Sequence, residues 1–114
     1  MDQESLALKQ VLFLCSQNKL RSPTAERIFS NWSELIVASA GFNHDAEVKI
    51  NADYVAGSDL IFVMEKRHEE QLKRRFSSHL AGVEVICLNI PDQYDYMDPE
   101  LVKILLEKVP GYLK

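Results

Sequence analysis

The sequence has little cysteine, glycine or proline, with two, four and four of these residues in 114. Cys15 and Cys87 are too few for a disulfide framework or a cysteine-based metal site. No apolar run is long enough to cross a bilayer, and no apolar signal segment follows Met1, so we expect a cytoplasmic protein that does not associate with membranes. Internal repeats and low-complexity tracts are also absent.

The sequence also lacks an excess of positive charge, since its formal net charge is −4. Nucleic-acid binding draws mainly on cationic surface, so we expect no nucleic-acid partner. The length suits one domain, and 46% hydrophobic with 26% charged residues is an ordinary globular composition. We predict a polar lead-in at residues 1–9 and a single domain at residues 10–114.

Four short apolar runs alternate with helical patterns along the chain. The predicted strands are residues 11–14, 35–38, 60–64 and 83–90, and the predicted helices begin at Pro23, Asn51, Glu65 and Pro99. This order predicts an α/β domain with a four-stranded parallel sheet of order 2-1-3-4 and helices on both faces. Ligands bind such sheets at the carboxyl ends of the strands, here at Cys15, Ser39, Met64 and Pro91-Asp92.

The segment between the first strand and the first helix, loop 15–21, is the strongest functional signal. Ser22 is a candidate N-cap and Pro23 a candidate first helical residue, so backbone N–H groups and the helix dipole converge on the loop and favour an anion. The same dipole and Arg21 favour a thiolate at Cys15, and the Arg21 guanidinium suits two oxygens of a phosphate. The alternative is that Cys15 is only a small buried hydrophobe.

Several motifs together resemble the low-molecular-weight protein tyrosine phosphatase family. CSQNKLRSPTAE at 15–26 is similar to its phosphate loop, SAG at 39–41 to the end of its second strand, and DLI with ME at 59–65 to its third-strand segment. IPDQY at 90–94 resembles the region of its general acid, with Gln93 where proline is usual. The resemblance covers about residues 11–106 and implies a phosphotyrosine phosphatase I-like fold that needs no metal or other cofactor.

The resemblance implies hydrolysis of phosphomonoesters, above all phosphotyrosine in proteins, through a cysteinyl-phosphate intermediate. Cys15 would be the nucleophile, and Asp92 would protonate the leaving group and then activate water. Ser22 would keep Cys15 ionised, while Asn18 would hold the loop conformation with Ser39 as its brace. The phosphate-binding residues would be Ser16, Gln17, Asn18, Lys19, Leu20, Arg21 and Ser22.

Some of these residues have structural alternatives. Asn18 could simply tolerate a left-handed turn, and Ser22 could serve only as an N-cap. Asp95 could compete with Asp92 as acid, whereas Asp98 is better explained as the cap before Pro99. Tyr94 and Tyr96 could either flank the entrance of a substrate cleft or cover the edge of the core. No role in the site is predicted for the other candidates: His44, His68 and His79 are surface residues, and Cys87 is an inert thiol in the middle of a strand.

The sequence departs from the family pattern in three ways. The stretch between Gly41 and Asp59, which carries a cleft wall in the family, is short, and the histidine-containing segment that braces the loop asparagine has no counterpart. Leu20 stands where many members have a second loop cysteine. Two alternative functions stay open: a phosphate- or phosphoprotein-binding regulatory module with weak or no catalysis, and an arsenate reductase, for which only Cys87 could supply a relay thiol.

Overall fold

The computed structural model describes residues 8–113, which form one four-stranded parallel sheet in the order β2-β1-β3-β4. This confirms the predicted sheet and its strand order. The strands are β1 (Lys9–Cys15), β2 (Leu35–Gly41), β3 (Leu60–Val63) and β4 (Glu84–Cys87). Residues 1–7 of the predicted lead-in lie outside the described residues. Lys9, which was also predicted to lie in the lead-in, is instead the first residue of β1.

Four helices connect or follow the strands, and none within residues 8–113 is long and apolar enough to cross a membrane. They are α1 (Arg21–Phe29), α2 (Ala52–Ala56), α3 (Lys66–Phe76) and α4 (Pro99–Lys108), with short 3₁₀ turns at Ser77–His79 and Pro110–Tyr112.

The core lies on both faces of the sheet because β1 is buried on both sides, as the apolar run predicted. On one face Phe13 stacks between Phe29 of α1 and Phe62 of β3, with ring centroids 5.7 and 5.2 Å apart, and Leu101 of α4 closes this layer. The other face packs against the remaining helices through Leu12, Leu14, Ile61, Val63, Val55 of α2 and Leu72 of α3. Both apolar layers hold the carboxyl end of β1 in place.

The start of α1 differs from the prediction. The helix begins at Arg21 with Leu20 at the N-cap position, so Ser22 is not the cap and Pro23 is the third helical residue. Proline is tolerated there because the first turn has no intrahelical acceptor for its N–H groups. The Ser22 side chain is fully buried and contacts the loop instead. By contrast, Asp98 does cap α4, since its Oδ1 accepts from Glu100 N at 2.9 Å.

Strand β4 is shorter than predicted, because it ends at Cys87 rather than at Ile90. Asn89 adopts a left-handed conformation with φ +57°, which interrupts the regular strand. Backbone hydrogen bonds nevertheless continue the chain along β3, from Leu88 N to Val63 O at 2.9 Å and from Ile90 N to Met64 O at 2.8 Å. This extension brings Asp92 to the same edge of the sheet as Cys15.

Candidate active site

Loop 15–21 lies against the end of β2, where small residues allow a close backbone approach. A Cβ atom at Gly41 would lie only 2.5 Å from Ser16 O and 2.9 Å from Asn18 N, so no larger residue fits without moving the loop. Phe42 N donates to Cys15 O at 3.0 Å, and Asn43 N donates to Ser16 O at 2.9 Å. The small residues at the end of β2 therefore allow loop 15–21 to approach the strand closely.

Asn18 is the central residue of the loop and has a positive φ of 57°. Its buried Nδ2 donates to Ser39 Oγ at 2.8 Å and to Ser22 Oγ at 3.0 Å, and its Oδ1 accepts from Val48 N at 3.1 Å. Ser39 Oγ in turn donates to Glu26 Oε1 at 2.5 Å. The asparagine therefore does more than tolerate a turn, because its amide ties the loop to β2, to α1 and to the segment after Gly41.

Cys15 is the last residue of β1 and is 4% exposed. Its Sγ lies 2.9 Å from Ser22 Oγ and accepts from Asn18 N at 3.2 Å. A thiolate has no proton to give, so with Cys15 ionised the Ser22 hydroxyl must be the donor of the first bond. Ser22 Oγ can donate in this direction while it accepts from Asn18 Nδ2. The sulfur thus lies where two N–H or O–H groups can stabilise negative charge on it.

Arg21 is only 2% exposed, and its guanidinium is fixed from several sides. Nη1 donates to Ile90 O at 2.7 Å and pairs with Glu65, and Nε lies 3.7 Å from Asp92 Oδ1. The helix α1, the end of β3 and the extension after β4 all contribute to this arrangement. The Arg21 guanidinium is therefore held in one orientation beside loop 15–21.

Glu65, the residue before α3, is a site residue to which the sequence analysis gave no role. It pairs with Arg21 and accepts from Arg67 Nε at 2.9 Å. The hydrogen bond from Arg67, joined by the bond and charge of Arg21, lowers the pKa of Glu65 to about 2, although burial acts in the opposite direction. Glu65 is therefore an anion at any physiological pH and balances the buried charge of Arg21. Its position directly after the third strand was the available signal.

His68 was predicted to lie on the surface, and this is wrong, because the side chain is fully buried. Its Nδ1 accepts from Glu65 N at 3.1 Å, so the ring proton is on Nε2 and donates to Ser16 Oγ at 3.0 Å. Burial, with the nearby charges of Arg21 and Arg67, lowers the pKa of His68 to about 4. A neutral imidazole thus joins the start of α3 to the loop. His44 and His79 are exposed, as predicted.

An open depression of about 420 Å³ lies over the loop. Asp92 lies in its wall with 59% of the side chain exposed, whereas Asp95 is exposed elsewhere. The predicted cleft residues Tyr94 and Tyr96 do not line it, because Tyr94 packs against the core and Tyr96 is exposed outside it. The lining consists of Cys15, Ser16, Gln17, Lys19, Leu20, Arg21, Asn43, Arg67 and Asp92.

Cys87 lies away from this depression. It is partly buried at the end of β4, not in the middle of the strand, and it packs on the face of the sheet opposite to Cys15. In the sheet register Cys87 pairs with Val63 of β3, which pairs with Leu14 of β1. Cys87 is therefore two strand spacings, about 10 Å, from β1. The two thiols cannot form a disulfide without unfolding the sheet. In the range 8–113, no cluster of His, Cys, Asp or Glu is placed to hold a metal ion.

Comparison with solved structures identifies the fold. The tyrosine phosphatase Wzb from Escherichia coli K30, in complex with phosphate, matches with a TM-score of 0.66 and 22% identity over 88% of this chain and 92% of its own. The low-molecular-weight protein tyrosine phosphatase from T. tengcongensis matches with a TM-score of 0.68 and 20% identity over 87% and 91%. A mutant of YwlE arginine phosphatase with a phosphorylated active-site serine matches with a TM-score of 0.66 and 20% identity over 90% and 98%.

These similarities show that the chain has the fold of the low-molecular-weight phosphatases over nearly its whole length. The predicted fold class is therefore confirmed. No protein-family model matches the sequence, and no curated protein matches it at a significant level.

Proposed function

We propose that the protein hydrolyses phosphomonoesters with Cys15 as nucleophile, and that phosphorylated protein, with phosphotyrosine as the first residue to test, is its substrate. One observation carries this proposal. The Cys15 sulfur, held by Ser22 Oγ at 2.9 Å and Asn18 N at 3.2 Å, lies in the same depression as Arg21 and Asp92. The residues proposed as nucleophile, anion-binding group and acid therefore line the same depression. Solved structures of the same fold include phosphatases that hold phosphate or carry a phosphorylated active-site residue.

Phosphate binding is assigned to the loop and to the start of α1. Loop 15–21 leads directly into α1, which begins at Arg21, so the free N–H groups and the positive end of the helix dipole lie at the end of the loop. With Asn18 N, which already donates to Cys15 Sγ, the backbone N–H groups of residues 16–21 are the donors proposed for the phosphate oxygens. Arg21 adds a full positive charge and a planar pair of donors. These groups stabilise the charge that develops on the equatorial oxygens of the phosphoryl group during transfer.

The reaction proceeds in two balanced steps. The Cys15 thiolate attacks phosphorus, a sulfur–phosphorus bond forms, and the phosphorus–oxygen ester bond breaks with its electron pair on the leaving oxygen, which takes a proton from Asp92. Water then attacks the cysteinyl-phosphate and gives a proton to the Asp92 carboxylate. The sulfur–phosphorus bond breaks, inorganic phosphate leaves, and the thiolate and the protonated acid return.

The position of Asp92 favours this function over a simple binding module. Its carboxylate lies 3.7 Å from Arg21 Nε and is 59% exposed in the wall of the depression. A carboxylate beside a phosphate site weakens anion binding by repulsion, but it is needed where a proton must be delivered. The arsenate reductase alternative fails on geometry, since Cys87 lies on the other face of the sheet and cannot relay a disulfide to Cys15.

The test is hydrolysis of 4-nitrophenyl phosphate and of phenyl phosphate by the native protein, by Cys15→Ser and by Asp92→Ala. We expect Cys15→Ser to abolish turnover, with Cys87→Ser as a matched control that retains it. Asp92→Ala should lose more activity with phenyl phosphate, whose leaving group needs protonation, than with 4-nitrophenyl phosphate. Native turnover that survives Cys15→Ser would overturn the proposal. Phosphate binding without any turnover would instead support the binding module.

A further inference from the structure

Cations are concentrated in the wall of the depression although the chain as a whole is acidic. Its lining residues include three cations, Lys19, Arg21 and Arg67, and one carboxylate, Asp92, whereas the formal net charge of the protein is −4. Glu65 lies outside the lining and pairs with both arginines, so Glu65, Asp92 and an ionised Cys15 together balance the three cations. Lys19 and Arg67 are the exposed cations of the wall, and each attracts a nearby anionic group of a ligand.

Arg21 and Arg67 have different positions in this wall. Arg21 is buried at 2% exposure beside the phosphate loop, while the Arg67 side chain is 55% exposed in the first turn of α3. Arg67 is anchored by one of its three nitrogens, since Nε donates to Glu65 Oε1 at 2.9 Å. This bond raises the pKa of Arg67, although burial acts in the opposite direction. Arg67 lines the same depression as Cys15 and Asp92. The hydrogen bond to Glu65 orients the Arg67 guanidinium, while the exposed part of the side chain stays accessible to a ligand.

Aromatic side chains do not contribute to this wall. Among the described residues that line the depression, none is Phe, Tyr, Trp or His. Stacking on a leaving-group ring, one common means of recognising aryl phosphates, is therefore not supplied by these residues. Lys19 lies on the loop side and Arg67 on the α3 side, so the part of a substrate beyond its phosphate meets positive charge.

We propose that this site selects phosphomonoesters that carry a second anionic group close to the phosphate, with Lys19 and Arg67 as the specificity-determining residues. The shared chemistry is a carboxylate next to the phosphorylated group. It could come from acidic residues flanking a phosphorylated residue in a protein or from a small carboxylated phosphate. Substrates with a cationic group at this place, such as a phosphorylated guanidinium or a basic flanking sequence, are disfavoured by the same charges. This inference rests on the proposed phosphatase function.

The test uses two substrate pairs that differ only in charge. One pair is 4-(carboxymethyl)phenyl phosphate and its carboxamide, which have similar leaving groups. The other is a phosphotyrosine peptide flanked by Glu and the same peptide flanked by Gln. We expect native kcat/KM to be about threefold to fivefold higher for the anionic member of a pair, as for a partly exposed ion pair, and to lose this preference at high salt.

The variants Arg67→Gln and Lys19→Gln should each reduce the charge preference, defined as the ratio of kcat/KM within a pair. The ratio is the readout because Arg67 also contacts Glu65, so an overall loss of rate would not by itself reveal specificity. Lys73→Gln is the control, since it removes one positive charge from the same helix α3 at a side chain that is 60% exposed and lies outside the lining. It should leave the ratio unchanged.

The outcomes separate the two proposals. Preference in the peptide pair alone supports the inference with a protein source of the carboxylate, and preference in the aryl pair alone supports it with a small-molecule source. A ratio near one in both pairs, or a ratio unaffected by Arg67→Gln and Lys19→Gln, overturns it even if every substrate is hydrolysed. If nothing is hydrolysed, the proposed function fails, and calorimetric binding of the same pairs still decides the charge preference.

Discussion

Asn18 Nδ2 lies 2.8 Å from Ser39 Oγ, and this contact joins loop 15–21 to the neighbouring strand β2. The side chain of Asn18 thereby stabilises a backbone conformation, φ +57°, that few residues adopt without support. The loop is thus shaped by contacts of Asn18 with residues 21 and 30 positions away in sequence, namely Ser39 and Val48, whose N lies 3.1 Å from Asn18 Oδ1. The proposed binding of phosphate depends on this preorganised shape of the loop.

Asn18→Ala is expected to lower phosphate affinity about tenfold and the free energy of unfolding by about 2 kcal/mol, because three hydrogen bonds, two of them buried, are lost at a residue with positive φ. The measurements are phosphate inhibition of aryl phosphate hydrolysis and denaturant unfolding. Asn89→Ala is the matched control, since Asn89 also has φ +57° but lies outside the lining of the site. It should lose some stability and keep its phosphate affinity. Equal effects of both variants on affinity would contradict the assigned brace.

Gly41→Ala is expected to reduce both stability and activity. The new Cβ would lie 2.5 Å from Ser16 O, so the loop must shift away from β2. We expect a loss of about 2 kcal/mol or more in the free energy of unfolding, together with a lower kcat/KM. Gly111→Ala provides the control, because a Cβ there meets no atom within 4 Å. A Gly41→Ala protein with native activity would show that the close approach does not shape the loop.

Glu65→Gln is expected to destabilise the protein, because the buried Arg21 loses its charged partner. Added phosphate should restore more stability to this variant than to the native protein, since the bound anion replaces part of the missing charge. Thermal unfolding with and without phosphate measures this difference. Glu69→Gln breaks only the exposed pair with Lys73 and should behave like the native protein. An identical phosphate effect in Glu65→Gln and the native protein would exclude this coupling.

The depressed pKa of His68 predicts a loss of stability in mild acid. The folded value is about 4 and the ordinary value 6.5, so between these pH values the unfolded chain binds the extra proton and the free energy of unfolding falls as pH falls. The loss between pH 7 and pH 4 is about 3 kcal/mol from this residue. Below pH 4.5, protonation linked to Glu65, whose folded pKa is about 2, adds to it.

Denaturant unfolding at a series of pH values tests this prediction. His68→Gln should lose the pH dependence between 6.5 and 4.5, while the exposed His79→Gln should keep it. The same slope in the native protein and in His68→Gln would mean that His68 does not titrate as the structure implies.

The sheet could be predicted from sequence because each strand is a compact apolar run and each helix carries its own period or cap. The errors occurred where contacts made in the folded structure, rather than local propensity, decide the outcome. Ser22 is a residue type typical of N-caps, but its hydroxyl bonds to Cys15 and Asn18, which the folded loop brings beside it. His68 lies in the highly charged sequence of α3, KRHEEQLKRRF, which suggests exposure. Its spacing of four residues from the buried Leu72 was the signal that could have placed it on the inner face.

The part of the site that is formed by local sequence could be predicted, and the part that depends on long-range contacts could not. Cys15 and Arg21 share one loop, so their proximity follows from local sequence, whereas the approach of Glu65 to Arg21 depends on the register between β1 and β3. Asp92 reaches the same edge only through the backbone extension after β4. Tyr94 was predicted as a possible cleft residue, but its packing against the core is decided by the fold and cannot be read from composition.

The most direct test of the central claim is a search for phosphate covalently bound to Cys15. An Asp92→Asn variant, which can still accept transfer from a good leaving group but cannot activate water, is mixed with 4-nitrophenyl phosphate, quenched and analysed by mass spectrometry of its peptides. The account predicts one phosphoryl group on the peptide that contains Cys15 and none on the peptide that contains Cys87. Release of 4-nitrophenol without any phosphoryl group on Cys15 would contradict it.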